Sequence, residues 1–570
     1  MAFTLRTALM VLMLAGWATP GSASFLRSTP PAGGHASASH MQVTTEEVRQ
    51  ALLQEIQAEF GDSRHATSSK IEEHEAALRP MFASLAKNEE GLLGHTVVRY
   101  ALHRYFAQRH GWSVKGLDPA GGAWNSSSSI LQDLVPRYVQ ELFEQRLHGR
   151  GLSLHDLAVL AATLEHIIHG DVGSRLEAAY RALGLSVEGG NREDQVVDAI
   201  ETFMMVFVLG QDILALSPAE VQAERASIVS VYPSWPDTRN FVREVYRNAT
   251  GSSLHADGPH ASDVIEFAKA RAAMEAVQDH YGPWQDRECR EMKRVLLRME
   301  EGETGRVPLT DFYGQSEQQG WQFSEDIDFL RQLGALDESV AARPRVIVPN
   351  YVNSASNCLA STGFYAVCCI NECEGILAGI EEKVAYPTAP APALATIVAS
   401  ISSSTVPAPR TLPAQLLERL DQIAAHHGGQ VPLHGRLFSQ WLHHAFPREC
   451  PYPHIAGSTS PMTASEWTAE TNQTATVTLD LRQQAAANKT AVEVTAGSMP
   501  LPWEAVEELV HPVHPTRSGR AGFFRTLAQL AAVVSLIALA RGLAQQGTNV
   551  QSKKHGSGLL LPYATKSHVA

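Results

Sequence analysis

Residues 194–214, DQVVDAIETFMMVFVLGQDIL, decide the expected fold of this chain. Their apolar residues first recur at a spacing of three and four, which is the period of an α-helix with one buried face. Residues 203–209 are then apolar without interruption, so other helices are expected to enclose this part. The run is far shorter than the about 20 residues that a bilayer crossing needs. The stretch therefore predicts a helix at the centre of a helical core.

The same helical period dominates the chain from residue 44 to residue 301, and clusters of Gly, Pro and Ser interrupt it. The predicted helices are 48–60, 70–85, 92–110, 130–147, 153–168, 174–183, 194–214, 218–231, 238–247, 261–280 and 283–299. Strand-like alternation is confined to residues 345–349 and 474–482. The pattern predicts a mainly α fold.

Both ends of the chain are apolar. Arg6, the apolar stretch 7–18 and the small residues after it are typical of a secretory signal peptide. Residues 521–544 are expected to form a single C-terminal transmembrane helix. The part of this segment without charged residues is shorter than the about 20 residues that a transmembrane helix needs. A buried or interfacial helix is therefore the alternative. The tail 545–570 has lysines and no acid, which favours a cytosolic tail and a single-pass type I membrane protein.

Composition divides the chain into segments. The expected order is a signal peptide at 1–24, a linker at 25–43, a helical domain at 44–285, a Cys/His-rich helical module at 286–454, a Ser/Thr-rich stalk at 455–520, a transmembrane helix at 521–544 and a cytosolic tail at 545–570. The segment from Phe25 is alternatively a second targeting element, which would send the protein to a plastid.

Charge and sequence motifs agree with a body that is luminal or extracellular. The formal net charge of −14 argues against nucleic acid as a partner. Four sequons for N-glycosylation occur, at Asn125, Asn248, Asn472 and Asn488. Six cysteines fit an oxidising compartment.

The most distinctive stretch is 357–374, NCLASTGFYAVCCINECE. Its four cysteines and two outside it are the disulfide candidates, namely Cys289, Cys358, Cys368, Cys369, Cys373 and Cys450. The spacing leaves many pairings open. It matches no zinc motif of paired C-x2-C units. The adjacent Cys368 and Cys369 are expected to bond to different partners.

Histidines are concentrated in residues 426–454. Imidazole is a frequent ligand of transition metals, so His426, His427, His434 and His443 are candidate metal ligands. Their spacing matches no established zinc pattern, and the alternative is that these rings cap helices and pack beside aromatic side chains.

A second histidine group lies in residues 165–171, EHIIHGD. His166 and His169 share a helix face and could hold a metal with a carboxylate. We favour the simpler interpretation that a predicted helix C-terminus places histidines there.

Two stretches, 297–313 and 420–438, both read as a helix, a glycine turn and a Val-Pro-Leu segment. This order resembles a calcium-binding helix–loop–helix, but too few oxygen ligands occupy the required positions. We therefore expect structural turns with a strand-like Val-Pro segment.

Residues 346–374 and 427–454 resemble a group of uncharacterised secretory or membrane proteins of dinoflagellate-type algae, and the likeness covers residues 300–460. It implies an origin and no activity. From the residues we predict a membrane-anchored luminal or extracellular binding protein with a protein or glycan partner, and binding rather than catalysis. The alternative is a metal-binding protein or metal-dependent enzyme that uses the histidines of 426–454.

Overall fold

A computed structural model of the chain describes residues 64–114, 117, 151–251, 264–314, 321, 323–359, 365–478 and 502–510. The predicted signal peptide, linker, transmembrane segment and tail lie outside these residues, as do Asn125, Asn488 and the predicted helices 48–60 and 130–147. In the described residues, we find no helix that combines the length and apolar character of a bilayer crossing.

Fifteen α-helices form most of the described structure, which confirms the mainly α prediction. The first seven make up what we call the helical body: α1 (Arg64–Ser84), α2 (His95–His110), α3 (Leu154–Ala182), α4 (Glu193–Val208), α5 (Pro218–Val231), α6 (Trp235–Thr250) and α7 (Phe267–Arg298).

The other eight helices belong to what we call the disulfide module. They are α8 (Leu309–Gly314), α9 (Ile327–Gln332), α10 (Val348–Val352), α11 (Glu372–Val384), α12 (Ala391–Ala399), α13 (Ala414–His426), α14 (Arg436–Ala445) and α15 (Ala464–Thr471).

Short antiparallel strands connect these helices. Their bounds are β1 (Trp112–Val114), β2 (Asn191–Arg192), β3 (Val264–Ile265), β4 (Arg306–Pro308), β5 (Leu336–Asp337), β6 (Arg345–Ile347), β7 (Tyr365–Val367), β8 (Thr388–Ala389) and β9 (Val431–Pro432). The pairs are β1–β7, β2–β3, β4–β6–β5 and β8–β9. Strand β6 confirms the strand expected near residue 345. The Val-Pro segments expected to be strand-like are β4 and β9.

The helix α4 is the central helix that its apolar run predicts. Residues 203–208 are all buried, and they pack in a core formed by the helices of the body. Two further cores lie in the disulfide module, one around β4 and β6 and one between α11 and α14.

Two pairs of predicted helices are each one continuous helix, so those predictions were wrong. Helix α3 runs through Gly170 and Gly173, and α7 runs through Pro283. Tertiary packing explains the first case, since a Cβ at Gly173 would lie 3.0 Å from Arg271 Nε. The glycine allows close approach between α3 and α7. The expected segment boundary at residue 285 therefore falls inside α7, which contributes to the first two cores.

All six cysteines form disulfides, which confirms the prediction that they are disulfide-bonded. The bonds are Cys289–Cys369, Cys358–Cys368 and Cys373–Cys450. The adjacent Cys368 and Cys369 have different partners, which confirms that expectation.

The first part of the expected stalk is folded. Trp467 of α15 is 6 % exposed and packs on Phe329 of α9. The amide of Asp326 donates to the carbonyl of Ala475 at 2.8 Å. Composition rich in Ser and Thr suggested a solvated stretch, but these aromatic and backbone contacts attach residues 464–477 to the disulfide module.

Candidate metal centre

The histidines of residues 426–454 bond to separate groups. His426 is exposed. His427 Nε2 lies 2.7 Å from Glu507 Oε2, and His434 Nε2 lies 2.7 Å from Glu381 Oε1. His443 is fully buried, and its Nδ1 lies 2.7 Å from the carbonyl oxygen of Cys450.

The two remaining rings of this stretch also bond to backbone oxygens. His444 Nε2 lies 3.0 Å from the carbonyl oxygen of Pro502, and His454 Nε2 lies 2.7 Å from that of Gly334. Burial lowers the pKa of His444 to about 4, so this ring is neutral at physiological pH. The geometry therefore matches the alternative interpretation, in which these histidines fix local structure.

Three metal-ligating side chains converge elsewhere. Within the described ranges, one group of three has its ligand atoms within 4.8 Å of one another: His110, Glu165 and Asp279. These residues come from α2, α3 and α7 of the helical body. The sequence separates them widely, so only the packing of the three helices brings them together.

Two glycines allow the approach of α2 to α7. Gly111 ends α2 with φ +68°, in the left-handed region that glycine adopts without strain. A Cβ at Gly282 would lie 1.8 Å from the carbonyl oxygen of His110. Any larger residue at Gly282 would push α2 away from Asp279, so both glycines help to position the His110 ring.

The two carboxylates approach different nitrogens of the His110 ring. His110 Nε2 lies 3.9 Å from Glu165 Oε2, and His110 Nδ1 lies 3.8 Å from Asp279 Oδ1. Neither distance is a hydrogen bond. The side chains are 5 %, 9 % and 27 % exposed in the order His110, Glu165 and Asp279, so the centre is enclosed except on the side of Asp279.

Two atoms of this centre are buried and have no hydrogen-bond partner among the described residues. They are Nε2 of His110 and Oε2 of Glu165. The other ring nitrogen of His110, Nδ1, lies 3.3 Å from the carbonyl oxygen of Asp279, which can accept only from a protonated nitrogen. That contact assigns the proton of a neutral ring to Nδ1, and it leaves the lone pair of Nε2 directed at Glu165.

A second layer of side chains holds the first. His169 Nε2 donates to Asp279 Oδ1 at 2.9 Å, and His74 Nδ1 is hydrogen-bonded to the hydroxyl of Tyr105 at 2.6 Å. His74 Nε2 lies 3.4 Å from Glu165 Oε2. Outer hydrogen bonds of this kind orient the ligands of metal sites.

Burial governs the protonation of the centre. It lowers the pKa of His110 to about 4, and it raises the pKa of Glu165. Burial also opposes charge on His169 and Asp279, but their mutual hydrogen bond outweighs it, raising the pKa of His169 and lowering that of Asp279. At neutral pH the His110 ring is therefore uncharged and able to donate its lone pair.

An aromatic wall covers the centre on one side. The ring of Trp112 in β1 is fully buried and stacks on the His110 ring with centroids 4.1 Å apart. The same indole contacts the His169 ring edge-on, with ring centroids 6.1 Å apart. This apolar surface shields the centre from water and strengthens electrostatic interactions within it.

The sequence pattern singled out part of this centre, but it favoured a helix C-terminus as the reason for the histidines there. Glu165 and His169 belong to the group at 165–171, but His169 is inside α3 and not at a helix C-terminus. Asp171 instead binds Arg175 at 2.6 Å. His110 and Asp279 carry no local signal, and only a contact between distant helices could have revealed them.

The two described sequons lie on the surface. Asn248 is exposed near the end of α6, and Asn472 is exposed at the C-cap of α15. Both side chains are therefore accessible to a glycosylating enzyme.

Searches of protein-family models, curated proteins and solved structures found no match to this chain. The resemblance to algal secretory proteins therefore stays a prediction.

Proposed function

We propose that this protein binds a divalent transition-metal ion in its helical body, through His110, Glu165 and Asp279. One observation carries the proposal: His110 Nε2 and Glu165 Oε2 are buried, lie beside Asp279 and have no hydrogen-bond partner in the part of the chain that the structure describes. Buried polar atoms are nearly always hydrogen-bonded. A metal ion would bind both atoms at once.

The distances suit such an ion. Zinc binds imidazole nitrogen and carboxylate oxygen at about 2.0–2.2 Å, so two ligand atoms of a tetrahedral site are about 3.3 Å apart. The separation of 3.9 Å between His110 Nε2 and Glu165 Oε2 closes to that value with small side-chain rotations. The hydrogen bonds of the second layer, from His169 to Asp279 and from His74 to Tyr105, do not involve the two atoms that move.

The donors indicate the class of metal. One imidazole and two carboxylates suit Zn²⁺, Mn²⁺ or Fe²⁺ better than a thiophilic ion. Thiolates are not available to compete, because all six cysteines are in disulfides. Since the three ligands come from three helices, metal binding would tie α2, α3 and α7 together.

The setting of this binding protein is part of the proposal. Three disulfides and two exposed sequons support a luminal or extracellular body. The apolar segment 521–544 would anchor it as a single-pass type I protein. We propose that its role is binding rather than catalysis.

Metal analysis and titration calorimetry on the full chain in detergent test the metal site. After chelation and dialysis, the protein is expected to bind one equivalent of Zn²⁺ or Mn²⁺. His110→Gln and Glu165→Gln should each weaken binding by at least about 100-fold, because each removes a direct ligand.

The matched control is the double variant His426→Gln/His427→Gln, which removes two imidazoles from the His-rich stretch. This variant should bind metal as the wild type does. Unchanged binding in His110→Gln, or loss of binding in the control, would overturn the proposal.

A further inference from the structure

A cleft with a volume of about 600 Å³ lies where the helical body meets the disulfide module. One wall is the C-terminal part of α7, and another is the first turn of α11. The loop 401–405 and Glu449 complete it. The volume is within the range of small-molecule binding sites, about 300–1,000 Å³.

Two disulfides hold these walls in place. Cys289 precedes Arg290 of the α7 wall and bonds to Cys369. Cys373 follows Glu372 of the α11 wall and bonds to Cys450, which is next to Glu449. The cysteine-rich stretch thus serves as the frame of the cleft, and a preformed cleft binds without a large ordering cost.

The floor of the cleft contains a carboxylate with one satisfied oxygen and one unsatisfied oxygen. Glu449 is 1 % exposed. Its Oε1 accepts from Ser403 Oγ at 2.8 Å, from Thr405 Oγ1 at 2.7 Å and from the Thr405 amide at 3.1 Å. Its Oε2 is buried, and no described residue forms a hydrogen bond with it. This oxygen needs a donor that the surrounding side chains do not supply.

Lys293 does not fill that role. Its Nζ lies 2.6 Å from Glu372 Oε1, and it is 3.9 Å from Glu449 on the side of Oε1. A hydroxyl or an ammonium group of a ligand would supply the donor that Glu449 Oε2 lacks among the described residues.

The rim of the cleft is basic. Arg290 and Arg294 lie one turn apart on α7, and their side chains are 66 % and 65 % exposed. Each pairs with an acid of its own helix, Asp286 at 2.7 Å and Glu291 at 2.5 Å. A guanidinium has five N–H donors, so these pairs leave donors for a carboxylate at the rim.

We propose that this cleft binds an acidic saccharide, one with a uronate-type carboxylate on a hydroxyl-rich ring. A ring hydroxyl would donate to Glu449 Oε2, and others would bond to the hydroxyl side chains of loop 401–405. The sugar carboxylate would lie against Arg290 and Arg294. A simple inorganic anion fits poorly, because it has no donor for Glu449 and would be repelled by it.

Calorimetric titration of the full chain with an oligogalacturonate tests this assignment, with maltotriose as the neutral sugar and sulfate as the simple anion. The oligogalacturonate is expected to bind at least about 10-fold more tightly than maltotriose, and sulfate is not expected to compete. Glu449→Gln should weaken binding about 10-fold or more.

The double variant Arg290→Gln/Arg294→Gln keeps the test valid if Glu449→Gln does not fold, since both side chains are exposed. It should reduce affinity for the acidic sugar to that for maltotriose. The control Arg298→Gln removes a charge from the same helix outside the cleft and should bind as the wild type does. Equal affinity for both sugars, competition by sulfate, or an equal loss in Arg298→Gln would overturn the proposal.

Discussion

The helical body and the disulfide module use histidine in opposite ways. Six histidines lie within residues 426–454, and each of the five that are not exposed bonds to its own backbone or carboxylate partner. In the body, His110 meets Glu165 and Asp279 from distant helices. The difference teaches that nearness along a chain does not bring ligands together. Convergence needs side chains that enter one space from several elements.

The two regions also differ in what holds them together. The body has a continuous apolar core around α4, whereas the module combines smaller cores with the disulfides Cys358–Cys368 and Cys373–Cys450. Five predictions sharpen or break this comparison.

The largest effect is expected on removing the Cys373–Cys450 disulfide by substituting alanine for both cysteines. The bond closes a loop with a sequence separation of 77, so its loss should cost about 4.5 kcal/mol of unfolding free energy by the chain-entropy relation. The matched control is the double alanine variant of Cys358–Cys368, with a separation of 10 and an expected cost of about 2.7 kcal/mol. Denaturant unfolding measures both, and a larger loss in the control would contradict the entropic reasoning.

The next largest loss of unfolding free energy is expected on changing the contact between the body and the module. Arg104 of α2 binds Glu381 of α11 at 2.6 Å, and His434 shares this carboxylate. Burial raises the pKa of Glu381, but Arg104 and His434 together lower it to about 2. Glu381→Gln should therefore cost about 3 kcal/mol, because it leaves the buried Arg104 with Glu374 as its remaining carboxylate partner.

The same carboxylate predicts a pH dependence. A lowered pKa contributes stability above the ordinary value of about 4.5, and this contribution is lost as the pH falls toward about 2. Comparing the unfolding free energies of wild type and Glu381→Gln between pH 6 and pH 3 checks this. A constant difference over that range would show that the charge of Glu381 is not the stabilising factor.

Metal binding at His110, Glu165 and Asp279 should stabilise the helical body against unfolding. At a free concentration 100 times its dissociation constant, Zn²⁺ or Mn²⁺ should raise the unfolding free energy by about 2.7 kcal/mol. Glu165→Gln should abolish this gain, whereas His427→Gln should keep it. Thermal or denaturant unfolding of the three proteins with and without metal measures the effect, and an equal gain in all three would mean that metal binds elsewhere.

Over a single pH unit, the smallest effect is expected at His444 of the module. Burial lowers its pKa to about 4, so the unfolded chain, with an ordinary value of about 6.5, binds the proton first on acidification. Stability is therefore lost as the pH falls from about 6.5 to about 4, by up to about 1.4 kcal/mol per pH unit. His444→Gln should flatten this slope, and an unchanged slope would show that His444 already titrates near its ordinary value.

The local pattern determined much about this protein by itself. It predicted the helical class, the central helix at Phe203 and the division of Cys368 and Cys369 between two partners. These features depend on periodicity and on covalent geometry, which act over a few residues. The same kind of reasoning failed at Gly173 and Pro283, through which α3 and α7 continue. At Gly173 the packing of α3 against Arg271 outweighs the local preference of glycine.

Tertiary structure alone decided the sites. Nothing near His110 or Asp279 in the chain indicates that they share a space, and nothing near Glu449 indicates that one of its oxygens is unpartnered. Histidine density predicted a metal site in residues 426–454, where the rings bond to separate partners. Ligand geometry depends on which helices cross and how closely, and here that depends on Gly111 and Gly282, whose missing side chains let α2 and α7 meet.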